Sequence, residues 1–71
     1  MIGFENRLRS YRKLSNLKQL EMAKLIGVSR QYYHQFETGK RFPGKYLDKI
    51  LGVIQGRVSD KVKVDDIFKP L

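Results

Sequence analysis

The chain has 71 residues, no cysteine and a single histidine, which excludes a disulfide framework and disfavours a structural zinc site. Fifteen Lys and Arg against seven Asp and Glu give a formal net charge of +8, which favours a polyanionic partner. No apolar run approaches the ~20 residues that span a bilayer and no signal peptide is recognisable, so we expect one soluble, cytoplasmic domain over residues 1–71.

The first two-thirds of the chain is predicted to form three short helices. Apolar residues at helical spacing predict helix 1 over residues 5–14 and helix 2 over residues 17–26. Gly27 ends helix 2, and helix 3 follows over residues 30–38, with Gly39 as its stop.

The last third is less regular in its pattern. Pro43 suits the start of a fourth helix that runs to about Gln55. Residues 61–64 alternate lysine with valine and could form a short strand, whereas residues 65–68 are typical of a last helical turn. The predicted fold is therefore all-α, a compact domain of four to five helices with a possible short C-terminal strand.

Residues that carry catalysis are scarce. Asp65 and Asp66 form the only adjacent carboxylate pair, which is better suited to opening a helix than to acid–base chemistry. His34 stands alone among aromatic and amide neighbours, where a histidine is more often a bystander than a catalyst. The sequence has no cysteine nucleophile and no glycine-rich phosphate loop. We therefore predict no enzymatic activity, no cofactor, no metal and no small-molecule substrate.

The positive charge is distributed unevenly. Residues 1–45 carry ten basic and three acidic side chains, whereas residues 46–71 carry five and four. This asymmetry predicts one face for a polyanion and another for a partner protein. A merely cationic soluble domain is the alternative. An anionic membrane is disfavoured, because no segment has the broad apolar face of an interfacial helix.

Two short helices joined by Gly27-Val28-Ser29 are typical of a helix-turn-helix. Residues 19–31, QLEMAKLIGVSRQ, and residues 36–43, FETGKRFP, resemble the phage repressor and Cro (XRE-type) helix-turn-helix family. The resemblance covers about residues 4–68. It implies a lambda-repressor-like fold with the helix-turn-helix at about 17–38, and it implies that the chain binds double-stranded DNA.

The resemblance also implies which residues meet DNA, with helix 3 in the major groove. The family's base-reading or groove-wall positions are held by Arg30, Gln31, Tyr32 and Gln35. Its phosphate-binding positions, which orient the protein without specifying sequence, are held by Gln19, Lys18, Thr38, Lys40 and Arg41.

Other positions match structural roles in the family. Arg12 stands where the family has a partner for the position held by Glu37, so we expect an ion pair. Tyr33 and Phe36 are expected in the core rather than on the DNA face. Lys18 replaces the usual threonine at the start of helix 2, so the N-cap should fall to Asn16 or be missing.

The resemblance implies a sequence-specific transcriptional regulator, chiefly a repressor that occupies a palindromic operator as a homodimer; activation is not distinguished from repression. The alternative is an antitoxin whose apolar tail binds a toxin and which autoregulates its own promoter. That alternative predicts a tail that is disordered until the partner binds. Non-specific nucleic-acid binding fits the charge but not the helix-turn-helix spacing.

The dimer surface is predicted in the C-terminal segment, at about residues 54–71. The alternating residues 61–64 could pair antiparallel with their own copy. The alternative is that the apolar residues of this segment cover helices 1 and 4 of the same chain. The residues predicted for the interface are Ile54, Val58, Val62, Val64, Ile67 and Phe68.

Overall fold

The computed structural model describes residues 4–71. Five α-helices and a small pair of terminal strands confirm the predicted all-α class for this part of the chain. None of these helices is long and apolar enough to cross a membrane. In chain order the elements are β1 (Phe4–Asn6), α1 (Leu8–Leu14), α2 (Gln19–Ile26), α3 (Arg30–Thr38), a 3₁₀ turn (Gly44–Tyr46), α4 (Leu47–Arg57), α5 (Val64–Ile67) and β2 (Phe68–Pro70).

The start of α2 has no side-chain N-cap hydrogen bond, which is the second of the two predicted possibilities. Asn16 is not the N-cap, since it lies in the preceding turn with a positive φ of 60°. The N-cap is Lys18, whose backbone N–H donates to Glu21 Oε1 at 2.8 Å. A glutamate three residues into the helix thus satisfies a backbone donor at its start, as in one half of a capping box.

The turn between α2 and α3 has the chemistry that a tight helix-turn-helix requires. Gly27 ends α2 with a φ of 81°, a left-handed conformation that glycine adopts without a steric penalty. Ser29 then caps α3, because its hydroxyl accepts a hydrogen bond from the Tyr32 N–H at 3.1 Å. These two residues fix where the second helix of the motif begins.

The two ends of the described chain pair with each other, which the sequence did not predict. β1 and β2 are antiparallel, with Asn6 opposite Phe68. Helix 1 was predicted from residue 5, but α1 begins at Leu8, whose N–H donates to Asn6 Oδ1 at 3.0 Å. The Asn6 amide also donates to the Phe36 carbonyl at 2.8 Å, so β1 is tied to α3.

The prediction of a possible strand at residues 61–64 is wrong. Residues 58–63 form an irregular connection, in which the Val62 N–H donates to the Ser59 carbonyl and the Gln55 side chain donates to the Val62 carbonyl. A strand needs an extended partner, and the partner available, β1, pairs with Phe68–Pro70. The Asp66 carboxylate accepts a hydrogen bond from the Lys63 N–H at 2.8 Å, so the acidic pair Asp65 and Asp66 lies in the first turn of α5.

Helices α1 to α5 enclose one core, to which Tyr33 and Phe36 contribute as predicted. Four residues predicted for the dimer surface, Ile54, Val62, Ile67 and Phe68, also lie in it. For these four, burial within the same chain supports the alternative that the tail covers its own chain, because they are at most 7% exposed. The core consists of Leu8, Leu17, Met22, Ala23, Ile26, Tyr33, Phe36, Ile50, Ile54, Val62, Ile67 and Phe68.

Candidate nucleic-acid interface

The outer face of α3 forms a shallow, polar groove. Arg30, Gln31 and His34 are exposed along it, and Gln35 is half-buried. These residues share one side of the helix because their spacings are close to multiples of a helical turn, and Tyr33 and Phe36 occupy the opposite side. The groove lining is Arg30, Gln31, His34, Gln35, Thr38 and Lys40.

Tyr32 lies at the border of this face rather than on it. Its ring packs edge-on against Phe36, with centroids 5.3 Å apart, and against Tyr46 at 6.0 Å. The Arg41 guanidinium covers the ring at 4.7 Å from its centroid. Tyr32 is therefore held in place from three sides, which suits a groove wall better than a mobile base-reading side chain.

Gln35 and Arg41, predicted to contact a base and a phosphate respectively, contact each other. Arg41 Nε donates to Gln35 Oε1 at 3.0 Å, and the Arg41 N–H donates to the Gln35 carbonyl at 3.1 Å. The Thr38 hydroxyl donates to the same carbonyl at 3.3 Å. The end of α3 and the following loop are thus one hydrogen-bonded unit.

Beneath the groove, Arg12 of α1 forms an ion pair with Glu37 of α3. Arg12 Nε donates to Glu37 Oε2 at 2.6 Å, and the two side chains are only 10% and 3% exposed. A second guanidinium nitrogen donates to the Leu17 carbonyl at 2.9 Å. Because the pair joins α1 to the end of α3, it fixes the orientation of α3 against the rest of the domain.

The buried pair perturbs the titration of its members. Burial alone would raise the pKa of Glu37, but hydrogen bonds from Arg12 and Gln19 outweigh it and hold the pKa below the ordinary value of 4.5. The hydrogen bond with Glu37 in turn raises the pKa of Arg12. Burial raises the pKa of Tyr33, whose hydroxyl lies beside the same carboxylate without a hydrogen bond of acceptable geometry.

Gln19, at the start of α2, extends this network to the surface. Its Nε2 donates to Glu37 Oε1 at 3.0 Å and lies 3.0 Å from His34 Nδ1. With its amide nitrogen engaged inside the protein, Gln19 positions α2 against α3. Phosphate binding at this end would then fall to the backbone N–H groups of the first turn of α2.

Basic side chains border the groove on both sides. Lys18 and Lys40 are exposed and form no ion pair with any residue from Phe4 to Leu71. Arg9, which is not among the DNA contacts predicted from the sequence, lines a second depression together with Gln19 and His34. Its position three residues before Arg12 on one helix was the available signal.

The groove is suited to an anionic ligand rather than to a metal. Among the described residues that line the groove and the neighbouring depression, Glu37 is the acidic one, and Arg12 neutralises its charge. Within residues 4–71, no three His, Cys, Asp or Glu side chains come together as a metal site. Exposed cations around a helix face rich in amide donors and acceptors are what DNA binding requires.

Comparisons with known proteins agree with this geometry. The family described as Helix-turn-helix (HTH_3) matches residues 8–60 of the chain. A protein of Methanocaldococcus jannaschii, described as an HTH-type transcriptional regulator, is 41% identical over 64 residues, which cover 90% of this chain and 89% of that protein. No solved structure is significantly similar to the chain.

Proposed function

The chain belongs to the helix-turn-helix family of DNA-binding transcriptional regulators, and we propose that it is a repressor that binds a palindromic operator as a homodimer. The observation that carries the proposal is the outer face of α3, where Arg30, Gln31 and Gln35 are presented on a helix fixed by the Arg12–Glu37 pair. Repression would act by occlusion: the bound dimer covers the promoter and no chemical step occurs.

The proposal divides the DNA contacts between two sets of residues. Arg30 can pair bidentately with guanine and Gln31 with adenine, so these two would read bases together with Gln35. Lys18, Lys40 and the backbone at the start of α2 would bind phosphates, which sets the register of the protein on the duplex. Arg9 joins this second set, since it borders the same face. Tyr32 would line the groove wall.

A dimer surface is proposed on α4 in place of the buried tail residues. Leu47 and Leu51 are half-buried, and Val58, just beyond the helix, is 38% exposed. Their spacing places them on one side of α4, with Val64 half-buried at the start of α5. A two-fold dimer requires such a self-complementary patch, and it would present two copies of α3 to half-sites ~34 Å apart.

The antitoxin alternative is less well supported. It predicts a C-terminal segment that folds only on a partner, whereas here Ile67 is 1% exposed and Phe68 is 4% exposed. The Arg7 N–H also donates to the Ile67 carbonyl at 2.7 Å, next to the β1–β2 pair. A tail with these internal contacts favours a regulator that acts without a toxin.

Transcription in vitro tests the repressor proposal. A duplex recovered by selection from random DNA would be placed across a promoter, and run-off transcription measured as purified protein is added. Repression is expected, with half-maximal effect at the concentration that half-protects the site in a footprint. Increased transcription, or no change at full occupancy, would contradict a repressor. Gln31→Ala should restore transcription without changing the thermal unfolding of the protein.

A further inference from the structure

We propose that Arg41 is a positioning residue that sets the base preference of Gln35, rather than a separate phosphate contact. The proposal rests on the proposed function, since it assumes that α3 reads bases. It departs from the family resemblance, which implies a phosphate-binding role for Arg41. The distinction matters because a phosphate contact adds affinity on any sequence, whereas a positioning residue changes which sequence is preferred.

The Arg41 side chain is held by two contacts of different kinds. Its Nε donates to Gln35 Oε1 at 3.0 Å, and its guanidinium lies 4.7 Å from the centroid of the Tyr32 ring. Tyr32 is itself held by Phe36 and Tyr46. The backbone of Arg41 adds a third tie, through its N–H to the Gln35 carbonyl. A guanidinium that lies over a fixed ring is restrained in where it can direct its hydrogen-bond donors.

This contact fixes which way the Gln35 amide faces. A guanidinium has only donors, so the amide atom that meets Arg41 must be the oxygen. The Gln35 Nε2 group is therefore directed to the other side of the amide, and the amide cannot rotate by half a turn without losing the Arg41 hydrogen bond. Without that bond, either orientation would be available.

The fixed orientation limits what Gln35 can read. A free glutamine recognises adenine through both amide atoms, the oxygen accepting from N6 and the nitrogen donating to N7. Here Arg41 uses one lone pair of the oxygen, so the group that Gln35 offers the groove without a competing partner is its donor. A donor matches the acceptors of the major groove, which are O6 and N7 of guanine, O4 of thymine and N7 of adenine, but adenine also turns its N6 donor toward the oxygen that Arg41 already uses. We therefore expect guanine or thymine to be preferred to adenine opposite Gln35.

Lys40 supplies a matched control. It is the neighbouring residue in the same loop, carries the same charge and lines the groove beside Gln35, but it makes no side-chain hydrogen bond with another residue in the range 4–71. Lys40→Ala should weaken binding to all sequences alike and reduce the slope of log affinity against log salt by about one. It should leave the base preference at every position unchanged.

The test compares base preferences of variants on one selected duplex. Gln35→Ala identifies the base pair that Gln35 reads. This is the position at which the affinity of the variant no longer depends on which of the four base pairs is present. Arg41→Lys keeps the charge but removes the Nε donor and the planar stack. It should relax the preference at that same position, by the order of tenfold, while the salt dependence stays that of the wild type. Far-ultraviolet circular dichroism and thermal unfolding check that each variant is folded.

Two results would overturn the proposal. One is that Arg41→Lys retains the wild-type preference at the Gln35 position, or loses affinity uniformly as Lys40→Ala does. The other is adenine as the preferred partner of Gln35. Failure of the underlying function differs from both, since the wild type would then select no consensus and Gln31→Ala would relax no position.

Discussion

Removing the Glu37 carboxylate should destabilise the domain strongly, because it leaves the Arg12 guanidinium buried without a counter-charge. Glu37→Gln keeps the shape of the side chain and removes only the charge. Arg12 is 10% exposed and Glu37 is 3% exposed, so water contributes little to the solvation of either charge. Breaking a buried pair in this way costs about 3–5 kcal/mol.

That cost is large compared with the total free energy of unfolding of a small domain. Native domains are stable by only about 5–15 kcal/mol, and this chain has no disulfide to add to the contribution of its core. The variant should therefore be partly unfolded at low urea. Equilibrium unfolding in urea, followed by far-ultraviolet circular dichroism, gives the free energy of unfolding and the midpoint for each variant.

The structure offers a matched control in a second, exposed ion pair. Arg7 and Glu5 are 3.1 Å apart, with side chains 37% and 51% exposed, so Glu5→Gln should hardly change the midpoint. Replacing both buried partners, as in Arg12→Met with Glu37→Leu, should cost less than the two single losses added together. A Glu37→Gln variant no less stable than Glu5→Gln would refute the reasoning.

Four further predictions concern pH, readout and assembly. The lowered pKa of Glu37 means that its contribution to stability is present above about pH 4.5 and lost as the pH falls through its folded-state pKa. As the pH is lowered from 6 to 3, the urea midpoint should therefore fall more for wild type than for Glu37→Gln. Gln31→Ala should reduce the binding free energy by ~1–3 kcal/mol on the selected duplex and hardly change it on random DNA, as measured by fluorescence anisotropy. Lys40→Ala should weaken binding to the selected duplex and to random DNA equally. Light scattering at micromolar concentration should show a dimer that Val58→Asp or Leu51→Asp converts to a monomer, and an unchanged mass for both would contradict the α4 surface.

The helices of the motif could be predicted from the sequence because their signals are local. Gly27 and Gly39 both adopt the left-handed conformation expected at a helix end, and Ser29 caps α3 through contacts within a few residues. The residues on the outer face of α3 follow from helical spacing once its start is known. The Arg12–Glu37 contact joins distant positions, and only the family resemblance suggested it.

The features that the sequence missed depend on contacts between distant segments. β1 and β2 are three residues each, too short for a periodic pattern, and each is extended only because the other pairs with it. Residues 61–64 have the pattern of a strand but no partner, and Val62 turns into the core instead. The contact between Arg41 and Gln35 depends on how the loop after α3 folds back, which residue types alone do not determine.

Selection of random duplex DNA by the purified protein tests the central claim most directly. The claim is that α3 reads sequence and that two copies of the chain act together. The predicted result is a palindromic consensus whose half-sites are one helical turn apart, about 34 Å, with one position that depends on Gln31. Recovery of DNA with no enriched sequence, bound with a steep salt dependence, would contradict the claim and indicate binding through charge alone.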